Sequence, residues 1–389
     1  MSLRSTEVGR RILGVDAFFD RCVSLRERLS LQSVNWIVGV IRGAAALLIA
    51  TLAPGAGVAP AWAGTANAGL DKARGGNPLA GMKWGIYEGP IDGVWPAYAG
   101  AHGRNRRLLG NVALQPRAVW DGSWDGNPKS TAQESIRDST QGDPNVLTQV
   151  AIFRLNPWES CSGSWSVGNQ ASYKAWIRSY AAGIGSARVA LILQPDLPFA
   201  VCVSSGVPQQ LVSYAAKVFN SLPHTTVYID AGSYAWYQPA VIAAMLERSG
   251  IWHSRGFALD VTQYGSTDQE LHWGAAINRA LAAAGAHDKH FVVNTDENGT
   301  PYLAGQVPGG GARSNYTPRC SHRGQQLCQR LGIPPTVDVA NRRWRLSVVD
   351  RGIAAAQVDA YLWLGRPWMV NGGPFSLQYA LTLGANGSY

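Results

Sequence analysis

Cysteine is scarce in this chain, and its spacing excludes more than it offers. Five cysteines occur in 389 residues and none forms a C-x-x-C pair, which removes zinc ribbons and thioredoxin-like redox pairs. No zinc-ligand spacing joins the seven histidines, and no Ser/His/Asp order stands out. Also missing is a Lys/Arg run interleaved with aromatics of the kind that follows phosphates. The formal charge is +9, but residues 1–63 hold 7 of the 34 basic and 4 of the 25 acidic side chains, leaving an excess of six. Such an excess is an ordinary solvated surface, so nucleic acid is not an expected partner. The run Gly309-Gly310-Gly311 lacks the Lys-Ser/Thr that a phosphate loop needs. No Pro/Ser/Thr-rich linker or appended binding module is visible, and nothing calls for a metal or an organic cofactor. Carboxylates are left to carry any chemistry.

Aromatics are plentiful, with 15 Trp and 14 Tyr. Flat amphipathic rings suit stacking on sugar faces or bases, and they are equally ordinary core residues. Gly43 to Pro60 is almost wholly apolar, Arg42 precedes it, and Ala61-Trp62-Ala63 forms an A-x-A site before Gly64. This reads as a cleaved export signal over residues 1–63, too short and too rich in Gly and Pro for a stable span. Left uncleaved, it would be an N-terminal membrane anchor. Residues 64–76 form a small, polar, Gly-rich lead-in. Cys22 lies in the leader, and the remaining Cys161, Cys202, Cys320 and Cys328 read as disulfides of an oxidising compartment. Four cysteines allow three pairings; Cys161–Cys202 with Cys320–Cys328 is the preferred one.

From residue 77 to 389, strand-like and helix-like stretches alternate. Expected strands are Lys83–Tyr87, Asn111–Leu114, Leu147–Leu155, Arg188–Gln194, Thr225–Asp230, Gly256–Thr262, His290–Asn294 and Val358–Leu364. Expected helices are Ala171–Gly183, Gln209–Ser221, Gln238–Arg248, Asp268–Ala284 and Pro374–Leu383. Short apolar strands separated by amphipathic helices predict βαβ units and a parallel sheet buried on both faces. The fold class is α/β, a single distorted (β/α) barrel with parallel strands. Asp121–Asp143 and Thr300–Val337 interrupt the alternation with Gly, Pro, Ser and Asn and read as long loops.

Two strands end on a carboxylate. Val189-Ala190-Leu191-Ile192-Leu193-Gln194-Pro195-Asp196 stops at a proline and presents Asp196, and Val227-Tyr228-Ile229-Asp230-Ala231-Gly232 repeats the pattern. Barrel enzymes place catalytic groups at strand carboxyl ends, where rigid strands hold variable loops. A carboxyl beside a hydrophobic strand can retain a proton near neutrality and act as a general acid, or simply cap the following turn.

These motifs, with Trp236, Gly256-Phe257-Ala258-Leu259 and Val358-Asp359-Ala360-Tyr361-Leu362-Trp363, resemble glycoside hydrolase family 6, the inverting endoglucanases and cellobiohydrolases of β-1,4-glucans. Asn77-Pro78-Leu79-Ala80-Gly81, Pro116-Arg117-Ala118-Val119-Trp120 and Pro335-Thr336 fall in the family's order. The resemblance implies Asp196 as general acid, with Gln194 in place of the motif's Glu, and Asp230 as a supporting carboxylate. It also implies Trp120, Trp236 and Trp363 at the sugar and Cys161–Cys202 as the family's first disulfide.

Departures cluster where the sugar would sit. Pro157-Trp158-Glu159-Ser160-Cys161 stands where the family reads P-x-R-D-C, leaving Glu159 beside the lost Asp. Gly365-Arg366-Pro367-Trp368-Met369-Val370-Asn371-Gly372 stands for K-P-G-E-S-D-G; Asn371 takes the position of the proposed base, and Arg366 supplies the cation. Asn294-Thr295-Asp296-Glu297-Asn298-Gly299 and Asp260-Val261-Thr262-Gln263 bring new carboxylates beside the old site. The expectation is a secreted inverting glycosidase acting on a β-1,4-glucan or related polysaccharide. Its catalytic set is Asp196, Asp230 and Glu159, with Asp260, Asn294, Arg366 and Asn371 contacting sugar and water activated through Glu159, Asp260 or a water chain. A carbohydrate-binding relative without turnover is the alternative.

Overall fold

The computed structural model describes residues 76–155, 161, 163, 165–234, 236–300, 318–370 and 373–389. The leader, most of the lead-in, Glu159, Ser160 and Asn371 lie outside the described residues. Eight parallel strands are described: β1 Lys83–Trp84, β2 Val119–Gly122, β3 Val146–Phe153, β4 Val189–Leu193, β5 Thr225–Asp230, β6 Gly256–Leu259, β7 His290–Asn294 and β8 Val358–Leu362. The helices are α1 Val94–Gly100, α2 Gly103–Ala113, α3 Pro128–Thr140, α4 Val167–Ile184, α5 Val207–Asn220, α6 Pro239–Arg248, α7 Thr267–Ala283, α8 Val348–Gln357 and α9 Leu377–Asn386.

β3 through β8 pair in sequence order, while β1 and β2 pair with β3 at its start and at its end. The sheet curls into the expected distorted barrel. Between β8 and β2 the ladder gives way to single links: Ala118 N–H to Trp363 O at 2.9 Å and the Trp120 indole N–H to Leu364 O at 2.7 Å. Thr336 covers the other part of the β8 edge by exchanging two hydrogen bonds with Tyr361, which satisfies backbone groups that would otherwise be orphaned.

Strands buried on both faces feed two cores. One, inside the barrel, holds Trp120, Ile192, Tyr228, Ala258, Val292 and Leu362; the other fills the space between sheet and helices with Leu191, Leu193, Ile229, Phe257 and Phe291. At the amino-terminal pole a buried ion pair ties three strands. Asp359 on β8 takes two hydrogen bonds from Arg255, at 2.9 and 3.0 Å, and one from the Tyr228 hydroxyl at 2.8 Å. Burial pushes the Asp359 carboxyl up, but hydrogen bonds from His290 and Arg255 and their charge hold it below the usual carboxylate range.

The sequence reading needs three corrections. Asn111–Leu114 is not a strand: it ends α2, whose Leu109, Val112 and Ala113 bury one face at helical spacing. The strand lies past Pro116, at Val119–Gly122. Asp121–Asp143 is not a loop, because Asn127 caps α3 by accepting from the Lys129 and Ser130 N–H groups and Pro128 opens the helix. Apolar periodicity could not show α3, since it buries Thr131, Ala132, Ser135, Ser139 and Thr140 against α4. The contact is close: a Cβ on Gly183 of α4 would strike the Lys129 carbonyl and lie 2.7 Å from Ala132 Cβ. Asp121 of β2 points into this layer, accepting from Ser135 Oγ and the Tyr180 hydroxyl, and burial pushes its carboxyl up to about 7. Finally, α1 and α8 occupy stretches assigned no element, and α8 is opened by a reciprocal cap between Ser347 and Asp350. Both preferred disulfides are formed.

Two outcomes follow for stability. Asp359→Asn leaves Arg255 charged and poorly compensated in the core, so urea unfolding of residues 76–389 is expected to register a loss of about 3–5 kcal/mol. Asp121 keeps its proton when folded and loses it when unfolded between about pH 4 and pH 7. Its contribution is therefore complete at low pH and declines as pH rises through that window. Asp121→Asn should flatten this part of the stability–pH curve; an unchanged slope would count against it.

Candidate active site

Consecutive strands deliver carboxyl groups to the carboxyl-terminal mouth of the barrel. β4 leads to Asp196, β5 ends in Asp230, β6 leads to Asp260, and β7 leads to Asp296 and Glu297. Four non-glycine residues with left-handed backbone sit here, Gln194, Asp196, Asp260 and Arg366, half of the eight among the described residues. Strain of this kind gathers where surrounding structure holds a functional loop.

Asp196 is half-buried, and its position is over-determined. Its N–H donates to Asp230 Oδ2 at 2.9 Å, and its Oδ1 accepts from Thr262 Oγ1 at 2.5 Å. Desolvation raises its pKa to about 6, against a lowering by the Thr262 bond. Burial and the nearby Asp196 carboxyl raise Asp230 well above the usual range, and its Oδ1 has no protein partner. Gln194 does not face substrate: its Oε1 accepts from the Leu155 N–H at 2.9 Å and the Arg154 N–H at 3.3 Å, pinning the chain after β3. The Cys161–Cys202 bridge ties the short helical turn Leu197–Cys202, directly after Asp196, to the segment following β3.

Asp260 is fully buried. Its Oδ1 accepts from Gly265 N–H at 3.1 Å while Oδ2 is unpartnered, and burial together with Glu270 raises its pKa strongly. Glu270 of α7 is a member of this group that sequence reasoning missed. Desolvation raises it to about 7, and its Oε1 accepts from Ser233 Oγ at 2.6 Å. The signal was an acidic residue on the buried stripe of α7 that also carries Trp273, Gly274 and Ile277.

Asp296 Oδ2 accepts from the Gly365 and Arg366 N–H groups at 2.7 and 3.0 Å, and burial raises its pKa to about 6. Glu297 accepts from Gln329 at 2.6 Å, and burial and Asp296 push it up. Gly365 leaves room for these carboxyls: a Cβ there would collide with Glu297 Oε1 and lie 2.8 Å from Asp296 Oδ1, so a larger residue would displace them. The half-buried Arg366 sets its guanidinium 4.0 Å from the centre of the Trp120 ring. Burial lowers its pKa to about 10, against the carboxyls of Asp92, Asp296 and Glu297.

Several residues expected at the sugar are otherwise occupied. Asn294 accepts from the Asp296 and Leu364 N–H groups and donates to Asp260 O, so it clamps three loops. Trp363 is 2% exposed and donates to Ile333 O, which makes it a core residue without an open face. Trp120 is 6% exposed beneath Arg366. Trp236 remains half-buried at the rim, stacked on Phe199 at 4.5 Å over Gly232, where a Cβ would lie 2.6 Å from its ring. Two surface cavities, of about 590 and 270 Å³, open elsewhere, by Arg319 and Tyr379 and by the amino ends of α7 and α8. Among the described residues no group of His, Cys, Asp and Glu could hold a metal ion.

The chain is similar to known proteins. The sequence model of "Glycosyl hydrolases family 6" matches residues 87–372. Endoglucanase 1 of Streptomyces halstedii is 32% identical over 231 residues, covering 56% of this chain and 70% of the relative. Endoglucanase A of Cellulomonas fimi is 29% identical over 308 residues, 76% of this chain and 59% of that longer relative. The endoglucanase Cel6 from Mycobacterium tuberculosis, solved with methyl-cellobiosyl-4-deoxy-4-thio-β-D-cellobioside, superposes with a TM-score of 0.62 at 26% identity, over 79% of this chain and 98% of that one. A parallel barrel with a carboxylate-lined mouth and a family match spanning most of the chain lead to one assignment: this chain belongs to glycosyl hydrolase family 6 and is a cellulase-like glycosidase.

Proposed function

We propose that the chain is a secreted enzyme that hydrolyses β-1,4-glucan, or a closely related polysaccharide, with inversion, and that Asp196 is its general acid. The observation that carries this reading is Asp196 itself: a carboxyl at a strand carboxyl end, held through its own N–H by Asp230 and through Oδ1 by Thr262, with desolvation raising its pKa to about 6. A group with that pKa holds a proton in mildly acidic solution and still gives it up readily. Asp196 protonates the glycosidic oxygen as the C1–O bond breaks. Water attacks C1 from the opposite face, and its proton passes to a carboxylate across the ring.

Asp230 positions the acid by accepting from its N–H. Asp260 in its ionised form, made a stronger base by the burial and the Glu270 carboxyl that raise its pKa, is the proposed receiver of the water's proton, directly or through a further water. Support comes from its unpartnered Oδ2 and its place after β6, two strands along from β4. The glucan comes from the endoglucanase relatives, and secretion from the export-like leader with the two disulfides.

Reducing-end release from soluble β-glucans tests the reading. Asp196→Asn should lower kcat by at least about a hundredfold while sparing oligosaccharide binding. Wild-type kcat/KM should fall as pH rises above about 6, where the acid loses its proton, and the variant should lack that limb. Product from a β-linked substrate should emerge as the α-anomer in proton NMR; β-anomer product would overturn inversion. Saturable binding without release by the wild type would establish the non-catalytic alternative.

A further inference from the structure

An aromatic row crosses the rim at β2 and β3. Trp120 and Trp124 each lie 6.0 Å, ring centre to ring centre, from Phe153 between them. The two tryptophans differ in what covers them. Trp120 is buried under Arg366 with its indole N–H on Leu364 O, whereas Trp124 is 54% exposed.

Trp124 is fixed despite that exposure. Its ring rests on Gly122, where a Cβ would come within 2.6 Å of two ring carbons. The turn carrying it is closed by Asp125, whose Oδ2 accepts from Gly122 N–H at 2.6 Å and whose own N–H reaches Gly122 O. A large flat ring held before ligand arrives loses little entropy when a ligand stacks on it. Gly122 lies two residues past Trp120 on β2 and so shares its face, which places the ring over it on the barrel-interior side of the sheet.

Register relates the bases of the two turns. Gly122 pairs with Phe153, Ile152 pairs with Leu193, and the Gln194 N–H continues the ladder to Ile152 O. Gly122, Phe153 and Gln194 therefore form one row across three strands. Trp124 and Asp196 each lie two residues beyond that row, in the turns that follow β2 and β4. Those two strands are separated only by β3, roughly 10 Å at two strand spacings, so both turns open on the same stretch of rim.

We infer that Trp124 is a sugar platform in this chain, stacking under a pyranose at the rim beside the acid-bearing turn, where Trp120 is covered. A β-linked glucose presents flat C–H faces to an indole ring, so the ligand class is a β-glucan chain rather than an isolated sugar at the acid. The inference rests on the glucan-hydrolase reading above.

Binding to an inactive parent separates the two ideas. Asp196→Asn, Asp196→Asn/Trp124→Ala and Asp196→Asn/Trp124→Phe are titrated with cellotetraose by calorimetry, with Tm recorded for each. Adding Trp124→Ala should weaken cellotetraose binding about tenfold without lowering Tm, and the Phe variant should recover most of the loss. Binding equal to the parent in the Ala variant would overturn the platform while leaving the glucan reading intact. A loss accompanied by a lower Tm and not recovered by Phe would overturn it as a structural effect. A parent that binds no cello-oligosaccharide, with a wild type that releases no reducing ends from β-glucan, would overturn both.

Discussion

Desolvation of carboxyl groups at the barrel mouth is the constraint on which the site depends. Asp230, Asp260, Glu270, Asp296 and Glu297 are buried, and with the half-buried Asp196 they share one small region. Charging all six there would cost far more than the protein's stability, so the mouth has to hold protons or spend donors on each oxygen. Both solutions are used. Backbone N–H groups of Asp196, Gly265, Gly365 and Arg366 are turned onto these carboxyls, and burial raises all six pKa values. The left-handed backbone at Asp196 and Arg366 belongs to loops that deliver such amides. A proton store suited to general acid catalysis thus arises from the same burial that makes the loops strained.

Rigidity comes from the scaffold beneath. Strands with interior and exterior cores hold the height of each carboxyl relative to its neighbours. The Arg255–Asp359–Tyr228 cluster locks the far pole without contributing to the mouth, and its charges are paired where those of the mouth are suppressed. One barrel therefore keeps two buried polar centres with opposite protonation preferences. The difference is the presence of a bidentate guanidinium at one and of clustered like charges at the other.

The aromatic rim follows the same electrostatics. Glu297 and Asp296 occupy the space a side chain at 365 would take, and Arg366 lies between those carboxyls and the face of Trp120. Cation and ring satisfy one another, leaving Trp124 as the exposed member of the row.

Much of the fold was legible because its signals are local. Apolar runs ending in Pro or Asp located β4 and β5, and amphipathic spacing located α4 to α7 and α9 to within a few residues. β2 and α3 escaped because α3 packs small polar side chains on a buried Asp121, a partnership invisible to hydrophobic periodicity. Asp196 and Asp230 could be picked out by their position after strands, yet nothing local distinguishes Trp120 from Trp124, or Asn294 as a clamp from Asn294 as a ligand. The sequence by itself determined the parallel barrel and the strand ends on which carboxyls appear, because backbone periodicity and chain punctuation act over a few residues. Which carboxyls are desolvated together, which ring is covered and what crowds residue 365 follow from tertiary packing, because burial and pairing depend on side chains brought together from distant strands.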